Sequence, residues 1–142
     1  MIKAFVLSAV FLVAGLGLLA GCGKAPDGPK RYELAGTVHY DGKPLESGRI
    51  TFVPDSSAGN EGPAGYGLVS HGTFDTRMLG GKGAVSGPIQ VLITGYPPQP
   101  PEGQEVRPPL FEDHVIKFEI SPDQDHKNLH FDIELKPRKR GP

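Results

Sequence analysis

The sequence has one cysteine, no tryptophan and no excess of charge of either sign, and each shortage excludes or disfavours a class of protein. One cysteine cannot form a disulfide within the chain, so a small domain stapled by internal disulfides is excluded. The 15 basic and 16 acidic residues give a net charge of −1, without the concentrated basic face that a nucleic-acid partner needs. With four tyrosines and no tryptophan, the chain also has few of the aromatic rings that sugar-binding sites favour. Its function must therefore be sought in the N-terminal segment, the strand pattern and the loops.

The N-terminal segment has the features of a bacterial lipoprotein signal peptide. After the basic residue Lys3, residues 4–21 carry no charge and include three glycines. Such a run is marginal for a helix that spans a membrane, which needs about 20 apolar residues. It leads into the four residues of a lipobox, a branched residue, two small ones and a cysteine: Leu19, Ala20, Gly21 and Cys22.

Cys22 is the residue to which this motif assigns a chemical role. Its thiol would attack a diacylglycerol donor, and the small side chains before it would let a signal peptidase cut the preceding bond. We therefore predict a signal peptide at residues 1–21, lipidation at Cys22 and membrane lipid as the partner of the acylated residue. Two lipid chains already give stable anchoring. The alternative is an uncleaved anchor helix that happens to contain a cysteine.

The residues after Cys22 predict where the anchored protein lies. Residues 22–31 are polar and rich in glycine and proline, as in a flexible tether. An aspartate directly after the lipidated cysteine would favour the inner membrane, so Gly23 favours the outer membrane. The expected location is the cell envelope, with the domain in the periplasm or at the cell surface.

From Tyr32 onward the apolar residues alternate with period two, as in β-strands. Seven segments carry the pattern: 32–40, 49–53, 64–70, 73–76, 89–94, 116–120 and 129–136. Asp41-Gly42 and His71-Gly72 are turn pairs between successive segments. No window of a dozen residues after the lipobox has a helical stripe, so the pattern predicts an all-β domain.

The last segment has the clearest alternation. Its four apolar residues are expected to face inward: Leu129, Phe131, Ile133 and Leu135. Seven short strands with turns between them indicate that residues 32–137 form a seven-stranded antiparallel β-sandwich. A basic tail at 138–142 follows the domain and could touch anionic lipid head groups.

Five segments resemble the carboxypeptidase regulatory-like, or transthyretin-like, domains of small envelope lipoproteins. Residues 36–45 match the opening strand and turn of the family, and residues 48–54 match its second strand. Residues 72–74 match a strand start that consists of a glycine, any residue and an aromatic residue. Residues 83–91 match an alternating strand that follows a glycine, and residues 128–135 match the closing strand. The resemblance implies a prealbumin-like sandwich that binds, stabilises or presents and has no catalytic residues. Family members usually carry an acidic turn before the strand of Phe74, whereas this chain has Val-Ser-His-Gly at 69–72. A calcium-like role for that turn is therefore unsupported.

Five histidines raise the question of a metal site. His126 and His130 have the i, i+4 spacing that places two ligands on one helix face. Here His126 falls in a turn and His130 on a strand, so that geometry is lost. We expect His126, His130 and the isolated His39, His71 and His114 to be exposed to solvent, with no metal and no cofactor bound.

Catalytic machinery is not visible in the sequence. Three residues with side-chain oxygens lie between the last two strands: Asp123, Asp125 and Asn128. They lack the spacing of a calcium loop, so we interpret them as residues of a hairpin turn. Hydroxyisourate hydrolase, an enzyme on a transthyretin-like fold, ends in Tyr-Arg-Gly-Ser, whereas residues 138–142 read Arg-Lys-Arg-Gly-Pro. The chain is therefore predicted not to be an enzyme, and a hydroxyisourate-hydrolase-like activity is the unfavoured alternative.

A proline-rich connection at residues 96–112 is the candidate contact surface. It carries six of the fifteen prolines, which favour an extended conformation with a low ordering cost on binding. Loops of this length in a compact domain are often functional. Tyr96, Arg107 and Phe111 are the side chains expected to contact a partner. The alternative is a stiff crossover with no binding role.

These features together predict a lipid-anchored, non-enzymatic β module that binds or supports other components of the envelope. One alternative is an adaptor that docks an envelope protein through the 96–112 loop. Another is a module associated with polysaccharide or peptidoglycan. The sequence does not choose between these partners.

Overall fold

The computed structural model describes residues 28–135 except Leu79, Pro100 and Val106. The predicted signal peptide, Cys22 and the basic tail lie outside the described residues. Among the described residues there is no candidate for a membrane-spanning helix.

The described chain is all-β, which confirms the predicted class. It consists of eight strands and one short 3-10 helix (Ser56–Ala58): β1 (Ala35–Tyr40), β2 (Lys43–Pro44), β3 (Ser47–Pro54), β4 (Gly65–Ser70), β5 (Thr73–Asp75), β6 (Gly87–Tyr96), β7 (Phe111–Ile120) and β8 (Leu129–Ile133).

All eight strands belong to one curled sheet. Its order is β8-β1-β5-β4-β3-β6-β7, and the two-residue β2 lies beside the end of β1. The pairs are antiparallel apart from β1 and β8, which run parallel with Gly36 opposite Leu129 and Tyr40 opposite Ile133. The sequence predicted antiparallel pairing throughout, and the β1–β8 pair corrects that expectation.

Two tight hairpins form at the predicted turn pairs. Asp41 and Gly42 have φ of 49° and 75°, and His71 and Gly72 have φ of 48° and 75°. Two consecutive residues with positive φ give the type I′ turn, whose twist matches that of the flanking strands. The turns set the registers of β1 with β2 and of β4 with β5.

The inward face of the sheet forms the core. Ile89, Val91 and Ile93 are at most 1% exposed, as the alternation of β6 predicted. Across the core, the rings of Phe118 on β7 and Phe131 on β8 lie 6.1 Å apart. Because β7 and β8 are the two outermost strands of the sheet, this contact shows that the sheet curls until its two ends meet.

Residues 121–128 join those two ends, so they are a crossover and not the hairpin turn that the sequence suggested. His126 lies within this crossover and is 4% exposed, which corrects its predicted exposure. The ring of His126 packs edge-on against Phe118, and its backbone oxygen accepts a hydrogen bond from the amide of Ala35 at 3.0 Å. The crossover therefore buries His126 beside the meeting ends of the sheet.

Leu135 is 41% exposed, although the alternation of the last segment predicted that it faces inward. The strand β8 ends at Ile133, so the inward–outward alternation stops before Leu135. The other three predicted residues of this segment, Leu129, Phe131 and Ile133, do belong to the core or pack against it.

Candidate functional site

The predicted contact residues Tyr96 and Phe111 lie at one end of the sheet, where the 97–110 connection leaves β6 and returns to β7. Tyr96 is half-buried, Arg107 is exposed on the connection, and Phe111 is 8% exposed. Phe111 pairs with Gly95 and packs on the ring of Tyr40 at 5.0 Å. Phe111 is therefore a core residue that holds the base of the connection, while Tyr96 and Arg107 remain on the surface.

Gly95 explains how Phe111 fits there. A Cβ atom at Gly95 would lie 2.4 Å from the Phe111 ring, closer than non-bonded carbon atoms approach. Leu110 completes the return, because its amide donates a hydrogen bond to the Gly95 oxygen at 2.8 Å.

A groove opens between the base of this connection and the β1–β2 hairpin, and we name it the hairpin groove. Its volume is about 330 Å³. The residues that line it come from both sides: Tyr40, Asp41, Lys43, Pro44, Leu45, Glu46, Tyr96, Pro98 and Leu110. Leu110 is 42% exposed, so an apolar side chain meets solvent here between residues of both charge signs. Such a mixture of apolar surface and a few polar groups is typical of a binding cleft.

The connection itself has an exposed tip. The Gln104 amide donates to the Pro101 oxygen at 3.1 Å, which closes a turn, and Gly103 has a φ of 90° that suits glycine in such a turn. Prolines on both sides of the tip fix φ and reduce the entropy lost on binding. The structure thus brings Tyr96 and the proline-rich connection to the same groove.

A second groove, which we name the outer groove, lies on the outward face of β1, β4 and β5, and the sequence did not predict it. Its volume is about 470 Å³, and its lining residues are Ala35, Leu68, Ser70, Thr73, Phe74, Asp75 and Met78. Leu68 and Met78 are 49% and 62% exposed. The signal in the sequence was the inverted alternation of β4, which places Gly65 and Gly67 inward and Tyr66 and Leu68 outward.

An ion pair between Asp75 and Arg77 borders the outer groove. The Arg77 Nε donates to both carboxylate oxygens at 2.9 and 3.1 Å, and Nη2 donates at 2.6 Å. These side-chain hydrogen bonds, together with one from the Arg77 amide, lower the pKa of Asp75 from 3.8 to about 2. The carboxylate is therefore charged over the whole physiological pH range.

A different carboxylate, Asp55, is 3% exposed and caps the short 3-10 helix. It accepts hydrogen bonds from the Ser57 amide and hydroxyl and from Gln90 Nε2, and Lys117 Nζ lies 3.9 Å away. The Ser57 hydroxyl is the main cause of a lowered Asp55 pKa. These partners give Asp55 a structural role in closing the turn after β3.

The histidines are arranged differently from the pair that the sequence suggested. His126 is buried in the crossover, whereas His130 lies on the outward face of β8 beside His39 of β1. The rings of His39 and His130 are 4.8 Å apart, and Asp132 Oδ2 lies 3.0 Å from His130 Nε2. The sequence could not show this cluster, because it depends on the pairing of β1 with β8.

No family model, no curated protein and no solved structure matches this chain. The relation to transthyretin-like domains therefore stays a prediction that rests on the five motif segments.

Proposed function

We propose that this chain is a lipid-anchored protein of the bacterial envelope whose β domain, a transthyretin-like sandwich, docks an envelope partner and carries out no reaction itself. The anchoring part of the proposal rests on the Leu19–Ala20–Gly21–Cys22 order after an uncharged apolar run. The observation that carries the docking part is the hairpin groove, where the proline-rich connection, with its exposed Leu110, adjoins the β1–β2 hairpin.

The contacts of the first residues of the domain support the proposal that the domain lies a short distance from the membrane. The Arg31 guanidinium donates hydrogen bonds to the backbone oxygens of Gly83 at 2.7 Å and Ala64 at 3.1 Å. Tyr32 pairs with Ala84 through backbone hydrogen bonds of 2.7 and 3.0 Å. Arg31 thus already belongs to the domain, which leaves residues 22–30 for the proposed tether; a segment of that length spans at most about 30 Å when extended.

The anchoring proposal is tested by mass spectrometry of the protein purified from its own membrane. We expect an N-terminus at Cys22 that carries the mass of two or three acyl chains. The control variant Cys22→Ser should stay uncleaved and without lipid. An unmodified N-terminus at Cys22, or an intact residue 1 in the native protein, would contradict the proposal.

The docking proposal is tested by a photo-crosslinking residue at Pro98, which lines the hairpin groove. We expect a discrete crosslinked envelope protein, and we expect Leu110→Asp to abolish it because a charge would replace the exposed apolar side chain. The matched control is Leu68→Asp, which places the same charge in the outer groove and should leave the crosslink intact. Equal loss in both variants would show that the hairpin groove is not the docking surface.

A polysaccharide partner is a second candidate, because two of the four tyrosines, Tyr40 and Tyr96, line the hairpin groove. Tyrosine rings can pack on sugar rings while their hydroxyls form hydrogen bonds. Titration with soluble peptidoglycan fragments would distinguish the two. Saturable binding that Tyr96→Ala removes, with no protein crosslink at Pro98, would replace the protein partner with a glycan.

A further inference from the structure

We propose that His39, His130 and Asp132 form a binding site for a borderline transition-metal ion, with Zn²⁺ as the expected occupant. The site goes beyond the docking function and holds whether or not Cys22 is lipidated. It lies on the outward face of the sheet, where β1 and β8 run side by side.

The parallel pairing explains why these three side chains converge. His39 lies directly opposite Asp132, and Thr37 lies directly opposite His130. Side chains two residues apart on a strand point to the same face, so all four residues project from the same side of the sheet. Residues on neighbouring strands are close enough for their side chains to share one ligand.

The distances suit a single bound ion. One potential ligand atom from each of the three residues lies within 4.8 Å of the other two. In a tetrahedral zinc site with bonds of 2.0–2.1 Å, ligand atoms lie about 3.3 Å apart. The side chains of His130 and Asp132 are 53% and 60% exposed, so small rotations that keep the Thr37–His130 hydrogen bond can close this difference.

His39 carries the observation that most favours a ligand. Its Nδ1 atom is buried and has no hydrogen-bond partner in the described structure. The nearest Asp132 oxygen is 3.9 Å away, which is too far for a hydrogen bond. An ion between them would supply the missing partner, because it coordinates both atoms at once.

Thr37 holds the second imidazole in position. Its Oγ1 lies 2.6 Å from His130 Nδ1, which leaves His130 Nε2 directed toward Asp132 at 3.0 Å. Histidines that bind metals usually form such a hydrogen bond through their other ring nitrogen, which fixes the ring orientation. Thr37 is therefore a positioning residue for the site.

The ligand set selects the class of ion. Imidazole nitrogens favour zinc, copper and nickel, whereas magnesium and calcium prefer sites made of oxygen atoms. Three protein ligands leave one position of a zinc tetrahedron for water or for a group from a partner.

The test is calorimetric titration of the full-length chain with ZnCl₂. The chain carries no histidine tag and has Cys22→Ser, so that its thiol contributes nothing. We expect one Zn²⁺ per chain, no binding of Mg²⁺ or Ca²⁺, and a rise in the thermal midpoint on zinc addition. His39→Gln, His130→Gln and Asp132→Asn should each weaken binding at least tenfold, and Thr37→Val should weaken it about tenfold.

His71→Gln is the matched control, because His71 is also an exposed histidine near a carboxylate, Glu46, at 4.0 Å. It should bind zinc as tightly as the parent. Far-UV circular dichroism of each variant separates lost binding from lost folding, and Asp132→Asn keeps the shape of the side chain. The proposal is wrong if the folded parent shows no saturable zinc binding, or if the three ligand variants retain the affinity of the parent.

Discussion

The pairs β6–β7 and β1–β8 form two parts of the same sheet in different ways. The β6–β7 pair is antiparallel, has ten residues in each strand, and joins segments that are neighbours in sequence. The β1–β8 pair is parallel, covers five residue pairs, and joins residues 36–40 to residues 129–133. Loop-closure entropy grows only slowly with loop length, so the larger difference is in the pairing itself: eight residue pairs join β7 to β6, whereas five join β8 to β1. We therefore expect β8 to be the less stable end of the sheet.

The largest expected effect on the free energy of unfolding comes from truncating one buried isoleucine in each strand pair to alanine. Ile93 on β6 and Ile133 on β8 are 0% and 1% exposed. We expect Ile93→Ala to cost about 4 kcal/mol and Ile133→Ala about 2 kcal/mol, because the edge strand can move to fill the cavity. Urea unfolding measures both, and equal losses would show that β8 is as rigidly packed as β6.

A methyl group at Gly36 tests the β1–β8 contact from the backbone side. A Cβ there would lie 2.0 Å from the Leu129 backbone oxygen, whereas a Cβ at Gly95 would meet two side chains, the Phe111 ring at 2.4 Å and Leu45 Cδ1 at 3.1 Å. Since side chains can shift more easily than a paired backbone, we expect Gly36→Ala to cost about 3 kcal/mol and Gly95→Ala about 1 kcal/mol. Hydrogen exchange at 129–133 should accelerate in Gly36→Ala alone. Unchanged protection there would contradict the assigned pairing.

On the other side of β1, Asp75 of β5 lies opposite Ala35. The titration of Asp75 tests how the stability of this side depends on pH. The folded-state pKa of about 2 is below the ordinary value of 3.8, so the stabilisation is present above pH 3.8 and is lost as the pH falls toward 2. Arg77→Ala should return the pKa of Asp75 toward 3.8 and remove this part of the acid dependence. Carboxyl NMR titration measures the shift, and Arg107→Ala on the exposed connection is the control.

The smallest expected effect is at Leu135, two residues beyond β8. Because it is 41% exposed, Leu135→Ser should change the free energy of unfolding by less than about 0.5 kcal/mol. A loss comparable to that of Ile133→Ala would mean that the strand continues to Leu135 in solution, as its alternation suggested.

The features that the sequence predicted correctly depend on near neighbours in the chain. Period-two alternation identified the inward residues of β6, and the Asp41-Gly42 and His71-Gly72 pairs identified both tight hairpins. Each of these signals is local, since it arises from backbone preferences of adjacent residues or from one strand's own two faces.

The features that it missed depend on distant contacts or on broken alternation. Nothing in residues 129–133 alone indicates a parallel partner at 36–40, so the burial of His126 and the cluster at His130 could not be predicted. The sequence predicted the start of this strand at residue 116, whereas β7 begins at Phe111. The alternation did not reveal its first residues because a register shift opposite Ile93 and Gly95 interrupts the pattern. Asp113 takes up that irregularity with a φ of 44°.

The position of the hairpin groove could be inferred from the sequence only in part, for the same reason. Tyr96 and the proline-rich connection could be found because proline content is visible in one stretch of sequence. The burial of Phe111 depends on Gly95 and Tyr40, which lie on other strands, so its role as a support could not be seen.

The position of β1 has a mechanical consequence. It pairs with β2, β5 and β8, and the chain reaches it through Arg31 and Tyr32, to which the proposed tether would connect. A pull on that end would first load the Arg31 hydrogen bonds to Gly83 and Ala64 and the Tyr32–Ala84 bridge, and then β1 itself. Further extension would require three strands to separate from β1, so the domain would resist force at the end where the proposed anchor would hold it.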